Sequence, residues 1–301
     1  MNGVRPGWVS DEMYPFESRY FETPDGQRMH YVDEGEGPAI VFVHGNPSWS
    51  FEFRHLIADL RSDYRCIAAD HVGFGLSSRS DNKDDHHPHA HARRLAALLD
   101  ELHVSEITLL MTDWGGPIGL DFARRRPGRV SRMVLANTWC WPVNRDPHFL
   151  MFSLMMWCPL GQYLIKRRNF FVNGVMPRAI AARSAITAEM MAHYRSAQPS
   201  PRDRSACAAL PGHIIRASQW LGDIWEDRAR FVDKPTLIFW GLRDIAFRRK
   251  ELDRWRSALD YTEVYDYDDV GHFVAEEAPE RVIAALRDFM SRHADHGERS
   301  L

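Results

Sequence analysis

The sequence predicts an α/β protein: a mostly parallel, doubly wound sheet with a helical insert. Three observations carry this. Short apolar runs without polar alternation, such as AIVFV at 39–43, RCIAA at 65–69 and ITLLM at 107–111, mark strands buried on both faces. Stretches of helical spacing separate them, which is the pattern of parallel crossovers. The residues with chemical character, Asn46, Asp70, Asp113, Asp244 and His272, follow predicted strands. Open α/β sheets bind their ligands beyond those strand ends.

Taken in order, 18–23 and 28–33 read as two strands around the turn Pro24-Asp25-Gly26. Strands at 39–43 and 65–69 flank helical spacing at 53–60. The helix at 90–102 carries Leu95, Leu98, Leu99 and Leu102 on one stripe. Strand 107–111, helix 115–126, stopped by Pro127-Gly128, and strand 130–136 follow. The pattern then changes. Residues 141–227 hold no convincing strand and are rich in Met, Trp, Phe and Arg. Helical patterns there are broken at Pro159-Leu160-Gly161, Pro177, 199–201 and Pro211-Gly212. The α/β pattern resumes with strand 235–240, helix 248–259, strand 263–267 and helix 276–292, leaving a polar tail at 293–301 that is expected to fray. The expected organisation is a core of 1–140 and 228–301 with a helical cap of 141–227.

Composition narrows the function classes. The 301 residues are 45% hydrophobic and 26% charged, as in ordinary globular chains, and the net charge of −3 offers no basic excess for nucleic acid. Cys66, Cys140, Cys158 and Cys207 are scattered, without metal-ligand spacing, and are expected as reduced thiols in a cytoplasmic protein. The N-terminal residues lack the apolar segment of a secretory leader. The longest apolar run, 149–160, is too short for a stable membrane span, though greasy enough for peripheral contact. His86, His87, His89 and His91 read as a solvated helix entrance rather than a metal site. Asp70 and His44 read as loop organisers. Arg167, Arg168, Arg202, Arg204 and Arg216 read as a solvated face.

The chemistry concentrates at Thr112-Asp113-Trp114-Gly115-Gly116, between a buried strand and a helix. That is the setting of a nucleophile elbow, with aspartate where serine usually stands and Met111 in place of the first glycine. A carboxylate attacking a saturated carbon forms an ester, which activated water can hydrolyse; a serine would leave an inert ether. Alkyl halides and epoxides suit that route. His272, after the last strand, is the expected base, and Asp244, after the penultimate strand, the acid that orients it. The order Asp113, Asp244, His272 is that of α/β-hydrolases.

HGNPSWSFEFR at 44–54, DHVGFGLS at 70–77, DWGGPIGL at 113–120, WGLRD at 240–244 and GHF at 271–273 together resemble the haloalkane dehalogenases of the α/β-hydrolase fold, over roughly residues 15–292. The resemblance implies a leaving halide held by Trp114 and the Asn46 amide, and backbone N–H groups of the same two residues stabilising the oxyanion. It is closest in pattern to members with an Asp-His-Asp triad and an Asn-Trp pair; no glutamate stands in Asn137-Thr138-Trp139, where another subfamily carries its acid. No cofactor or metal is implied. The expected substrate is small, apolar and halogenated. The cap run at 149–157, including Phe149, Phe152, Met155 and Met156, reads either as a pocket roof or as a surface for self-association, so a homo-oligomer is conceivable.

The competing reading is an epoxide hydrolase with the same triad, which would need two cap tyrosines; the cap has Tyr163 and Tyr194. Asp113 disfavours serine-esterase chemistry. Trp114 stands where fluoroacetate-type dehalogenases commonly carry arginine. A catalytically silent binding protein is the reading from another class, and a luciferase-like oxygenase is an outlier.

Overall fold

The computed structural model describes residues 5–294. Eight strands form one sheet in the order β1-β2-β4-β3-β5-β6-β7-β8. They are β1 (Arg19–Glu22), β2 (Arg28–Glu34), β3 (Ala39–Val43), β4 (Arg65–Ala69), β5 (Ile107–Asp113), β6 (Val130–Thr138), β7 (Thr236–Gly241) and β8 (Thr262–Tyr267). The β1–β2 hairpin and the β2–β4 pair are antiparallel; every pairing from β4 to β8 is parallel.

Alternate side chains of β3 feed two separate cores, which is why the strand has no polar alternation. Val41 and Val43 pack with Leu95, Leu99 and Ile118 on one face, Ile40 and Phe42 with Leu56, Leu286 and Phe289 on the other. The covering helices are α1 (Arg54–Leu60), α2 (Pro88–Glu101), α3 (Gly115–Arg125) and, after the insert, α10 (Arg249–Ala258), α11 (Val274–Glu277) and α12 (Pro279–Arg292). The single helix expected at 276–292 is two, parted at Ala278 just before Pro279.

Connectivity fixes where the site forms. From β3 the chain moves to β4 on one side and then crosses back to β5 on the other. The loops leaving β3 and β5 therefore diverge and open a crevice at the carboxyl ends of adjacent strands. Asn46 and Asp113 stand at its two lips.

Between β6 and β7 lie α4 (Pro147–Trp157), α5 (Pro159–Arg168), a π-turn (Phe171–Val175), α6 (Met176–Ala179), α7 (Ala188–Ser196), α8 (Ser205–Arg216) and α9 (Ser218–Glu226). The break at Pro159 is a 68° bend between α4 and α5. The break expected at Pro211 does not occur: α8 runs through it. Pro211 removes the N–H that would bond Cys207 O, and the Asn46 amide donates to that carbonyl instead, at 3.4 Å.

The histidines before α2 also differ from expectation. His86 and His91 are buried rather than solvated, and only His87 caps the helix, accepting from the His89 N–H. Among the described residues no group of three His, Cys, Asp or Glu is arranged to hold a metal ion. Arg204 is likewise buried and spends its guanidinium on the carbonyls of Gln198, Pro199 and Lys166. Residues 295–301, most of the tail expected to fray, lie outside the described residues.

Candidate active site

Asp113 ends β5 with φ +47°, in the left-handed region, and α3 starts two residues later. The turn is that sharp because its neighbours are glycines: a Cβ on Gly115 would strike the Val43 carbonyl, and one on Gly116 the Thr138 hydroxyl. The strain presents Asp113 to the crevice with the N-terminus of α3 behind it.

The two oxygens of Asp113 are not equivalent. Oδ1 accepts from the Asn46 N–H at 2.8 Å. Oδ2 lies 3.9 Å from His272 Nε2, too far for a direct hydrogen bond. Burial raises the Asp113 pKa, opposed by the His272 charge and by the N–H groups of Asn46 and Trp114. His272 Nδ1 is 2.8 Å from Asp244 Oδ2. Its ring lies parallel to Phe247, 5.7 Å between centroids, and its backbone N–H donates to Ala179 O. Burial disfavours the imidazolium, but Asp244, Asp113 and Glu52 outweigh it and push its pKa up to about 9.

The structure thus brings together Asp113, Asp244, His272, Asn46 and Trp114. Phe149 and Phe152 line the same cavity, with Phe171, Ile214 and Phe247 around them. Met155 and Met156 do not. Met155 points outward, more than half exposed, and Met156 is packed into the core beside the cavity. Helix periodicity is the reason: Phe149, Ser153 and Met156 share the inward stripe of α4, while Met151, Leu154 and Met155 lie on the other side. The cavity measures about 120 Å³. Its polar lining is Asn46, Asp113, His148 and His272, with the indoles of Trp114 and Trp139. Tyr194 is buried elsewhere, donating to Glu276 at 2.6 Å, and Tyr163 faces outward, half exposed.

Three supporting residues escaped the sequence reading. Asn137, with φ +38°, donates to Asp244 Oδ2 at 2.8 Å and to Gly241 O, and accepts from the Gly241 N–H; it ties the acid to β7. A polar residue ending a buried strand beside the elbow was the available signal. Glu52 is fully buried in the 3₁₀ turn before α1, its pKa pushed up to about 7 by burial and the Glu276 charge, against a Ser48 hydrogen bond and His272. Cys207 O anchors the Asn46 side chain, a pairing that no spacing announces. Asp70 does hold its loop, accepting from the N–H groups of Ser50 and Leu76 and facing His30, with its pKa drawn down to about 2 by His30 and His44 despite burial.

A family model described as alpha/beta hydrolase fold matches residues 38–170. Haloalkane dehalogenase 2 of Mycobacterium tuberculosis is 40% identical over 277 residues, covering 91% of this chain and 95% of that protein. A cis-3-alkyl-4-alkyloxetan-2-one decarboxylase of Shewanella oneidensis is 35% identical over 297 residues, covering 93% and 90%. The crystal structure of the haloalkane dehalogenase DatA from Agrobacterium tumefaciens superposes with a TM-score of 0.81 at 24% identity, covering 95% of this chain and 100% of that one. At that identity the superposition speaks to fold.

Proposed function

The chain belongs to the haloalkane dehalogenase family of the α/β-hydrolase fold, and we propose that it hydrolyses carbon–halogen bonds through an ester on Asp113. The observation that carries this reading is the aspartate in the elbow, with Asn46 and Trp114 beside it, at the floor of an otherwise apolar cavity.

In this reading Asp113 Oδ2, the oxygen free of the Asn46 N–H, attacks the halogen-bearing carbon in line. The carbon–halogen bond breaks and the halide leaves with its electron pair onto the Asn46 amide and the Trp114 indole N–H, preorganised donors in a dry pocket. Oδ1 becomes the ester carbonyl oxygen, already faced by the Asn46 N–H, with the Trp114 N–H also directed at the carboxyl group. His272 Nε2 takes a proton from water, and the hydroxide attacks that carbonyl; Asp244 holds the ring through Nδ1. Collapse returns the Asp113 carboxylate and releases alcohol, halide and a proton. Alkylation also neutralises Asp113, removing one of the charges that hold the proton on His272, so the ring sheds its proton more readily and stands unprotonated to accept one from water once the ester exists. No step needs a metal or cofactor. The segment 141–227 acts as cap over the core of 1–140 and 228–301, and the four free thiols suit a reducing, cytoplasmic setting.

The epoxide reading loses its acid, because neither cap tyrosine reaches the cavity. A second reading is favoured by the likeness to the oxetan-2-one decarboxylase, which covers 93% of this chain and 90% of that protein. There Asp113 attacks the ring carbon bearing oxygen, and the ring carboxylate is the leaving group on the same donors. Loss of carbon dioxide then expels Asp113 and forms an alkene, with no water consumed.

Purified protein incubated with bromoalkanes, epoxides and a β-lactone separates the readings. Bromide and alcohol release, reduced about 10⁴-fold in Asp113→Asn, is the expected result. Alkene with carbon dioxide supports the second reading; diol alone overturns both.

A further inference from the structure

Among the described residues, six of the eight large exposed apolar side chains cluster on the outer side of the cap. Met151, Leu154, Met155, Trp157, Leu160 and Tyr163, from α4 and α5, are each between 50% and 66% exposed. Helix α4, PHFLMFSLMMW, is apolar almost all round, a composition expected of a helix buried on every side. Its two polar side chains are engaged with neighbouring elements: Ser153 donates to Pro211 O, and His148 Nε2 meets Ala246 O. The outward face is left wholly apolar.

Charge says what that face meets. Residues 147–188 contain five basic side chains, Lys166, Arg167, Arg168, Arg178 and Arg183, and no Asp or Glu, in a chain of net charge −3. Lys166, Arg167 and Arg168 end α5 beside the patch, and Arg216 lies over the Trp157 ring at 5.1 Å. Some other surface arginines are paired with carboxylates, as Arg281 with Asp269 and Arg287 with Asp59. An apolar face carrying Trp and Tyr and rimmed by basic groups matches the interface of an anionic bilayer. Two copies meeting face to face would bring their basic rims together. The 68° bend lays the two short helices along a surface, and no single helix among the described residues is long and apolar enough to cross a membrane.

We propose that the α4–α5 face docks the protein onto the surface of an anionic lipid bilayer. The inner side of the same α4 supplies Phe149 and Phe152 to the cavity, and half-exposed Ile245 lines the cavity as well. One helix thickness, about 10 Å, then separates lipid from the reaction chamber.

Flotation of the full chain with vesicles of phosphatidylcholine, with and without phosphatidylglycerol, tests this independently of turnover. Binding should be roughly tenfold stronger to the anionic vesicles and weaken at high salt. Met151→Glu with Leu154→Glu, and separately Arg167→Glu with Arg168→Glu, should each reduce it about tenfold while bromide release from a short soluble bromoalkane stays unchanged. No vesicle binding by the wild type, or equal binding by wild type and both variants, overturns the proposal. So does an oligomer that the Met151/Leu154 pair dissolves and vesicles fail to recruit, since the face then belongs to a second copy. Vesicle binding without bromide release leaves docking standing and breaks only the reaction reading.

Discussion

The floor of the cavity and its roof are built on opposite principles. At the floor, Asp113, Asp244 and His272 extend from strand ends, and their polar atoms are held by other protein groups: Oδ1 of Asp113 by Asn46, both oxygens of Asp244 by Asn137, His272 and the Ala246 N–H. At the roof, α4 makes few polar contacts and presents apolar side chains both inward and outward. Chemistry that depends on sub-ångström geometry sits where hydrogen bonds and two cores fix the backbone. Access and location are left to a helix held by non-directional packing, which can be re-sequenced without disturbing the floor.

That contrast is sharpened most by removing the base. In His272→Gln, the first half-reaction should proceed and the second stop, giving about one halide per active site and a trapped alkyl ester; intact-protein mass spectrometry checks for the adduct. A steady-state rate near wild type would detach His272 from the chemistry.

Asn137→Ala should come next. It strips Asp244 of a buried donor and unpairs Gly241, costing about 1–3 kcal/mol of stability. Ester hydrolysis should slow roughly tenfold while alkylation, which needs only Asp113 and the halide donors, changes less. Single-turnover kinetics and a thermal melt together read this. Equal slowing of both steps would mean that Asn137 merely supports the fold.

A smaller effect is expected in the pH profile. His272, raised to about 9 in the free enzyme and lower once Asp113 is esterified, must be unprotonated to act, so ester hydrolysis should quicken as pH rises and level off below that value. The same shift makes the protonated ring a source of stability that is complete below its ordinary pKa and lost as pH rises through about 9. Glu52→Gln removes one of the negative charges behind this and should move the inflection downward. An unmoved inflection would separate Glu52 from the base.

Least of all should happen at the outer roof. Leu160→Ser, on the exposed side of α5, should change stability by no more than about 0.5 kcal/mol and leave turnover of a soluble bromoalkane intact. Loss of several kcal/mol in a denaturant melt would erase the distinction between floor and roof.

What was legible in the sequence follows the same division. Strands β3 and β4 end where the apolar runs end, because a strand buried on both faces has nowhere to place a polar side chain. β5 and β6 run two residues further than their apolar runs, to Asp113 and Thr138, because parallel pairing continues into the site after hydrophobicity stops. The buried histidines at 86 and 91, the buried Arg204 and the unbroken α8 depart from the local pattern because packing supplies what the pattern does not show: Ser80 O for His86, the rings of His71 and Phe74 around His91, three carbonyls for Arg204, and the Asn46 amide for the carbonyl that Pro211 leaves free.

By itself the sequence determined the order of elements, the elbow at Asp113 and the succession of Asp113, Asp244 and His272 after their strands, since these depend on local periodicity, glycine geometry and chain order. Only the tertiary structure decided which cap side chains face the reaction, that Asn137 and Glu52 stand behind the triad, and that one face of the cap lies bare beside a basic rim. α4 is apolar on nearly every position, so its pattern carries no signal of direction; only the surfaces packed against it say which side is in.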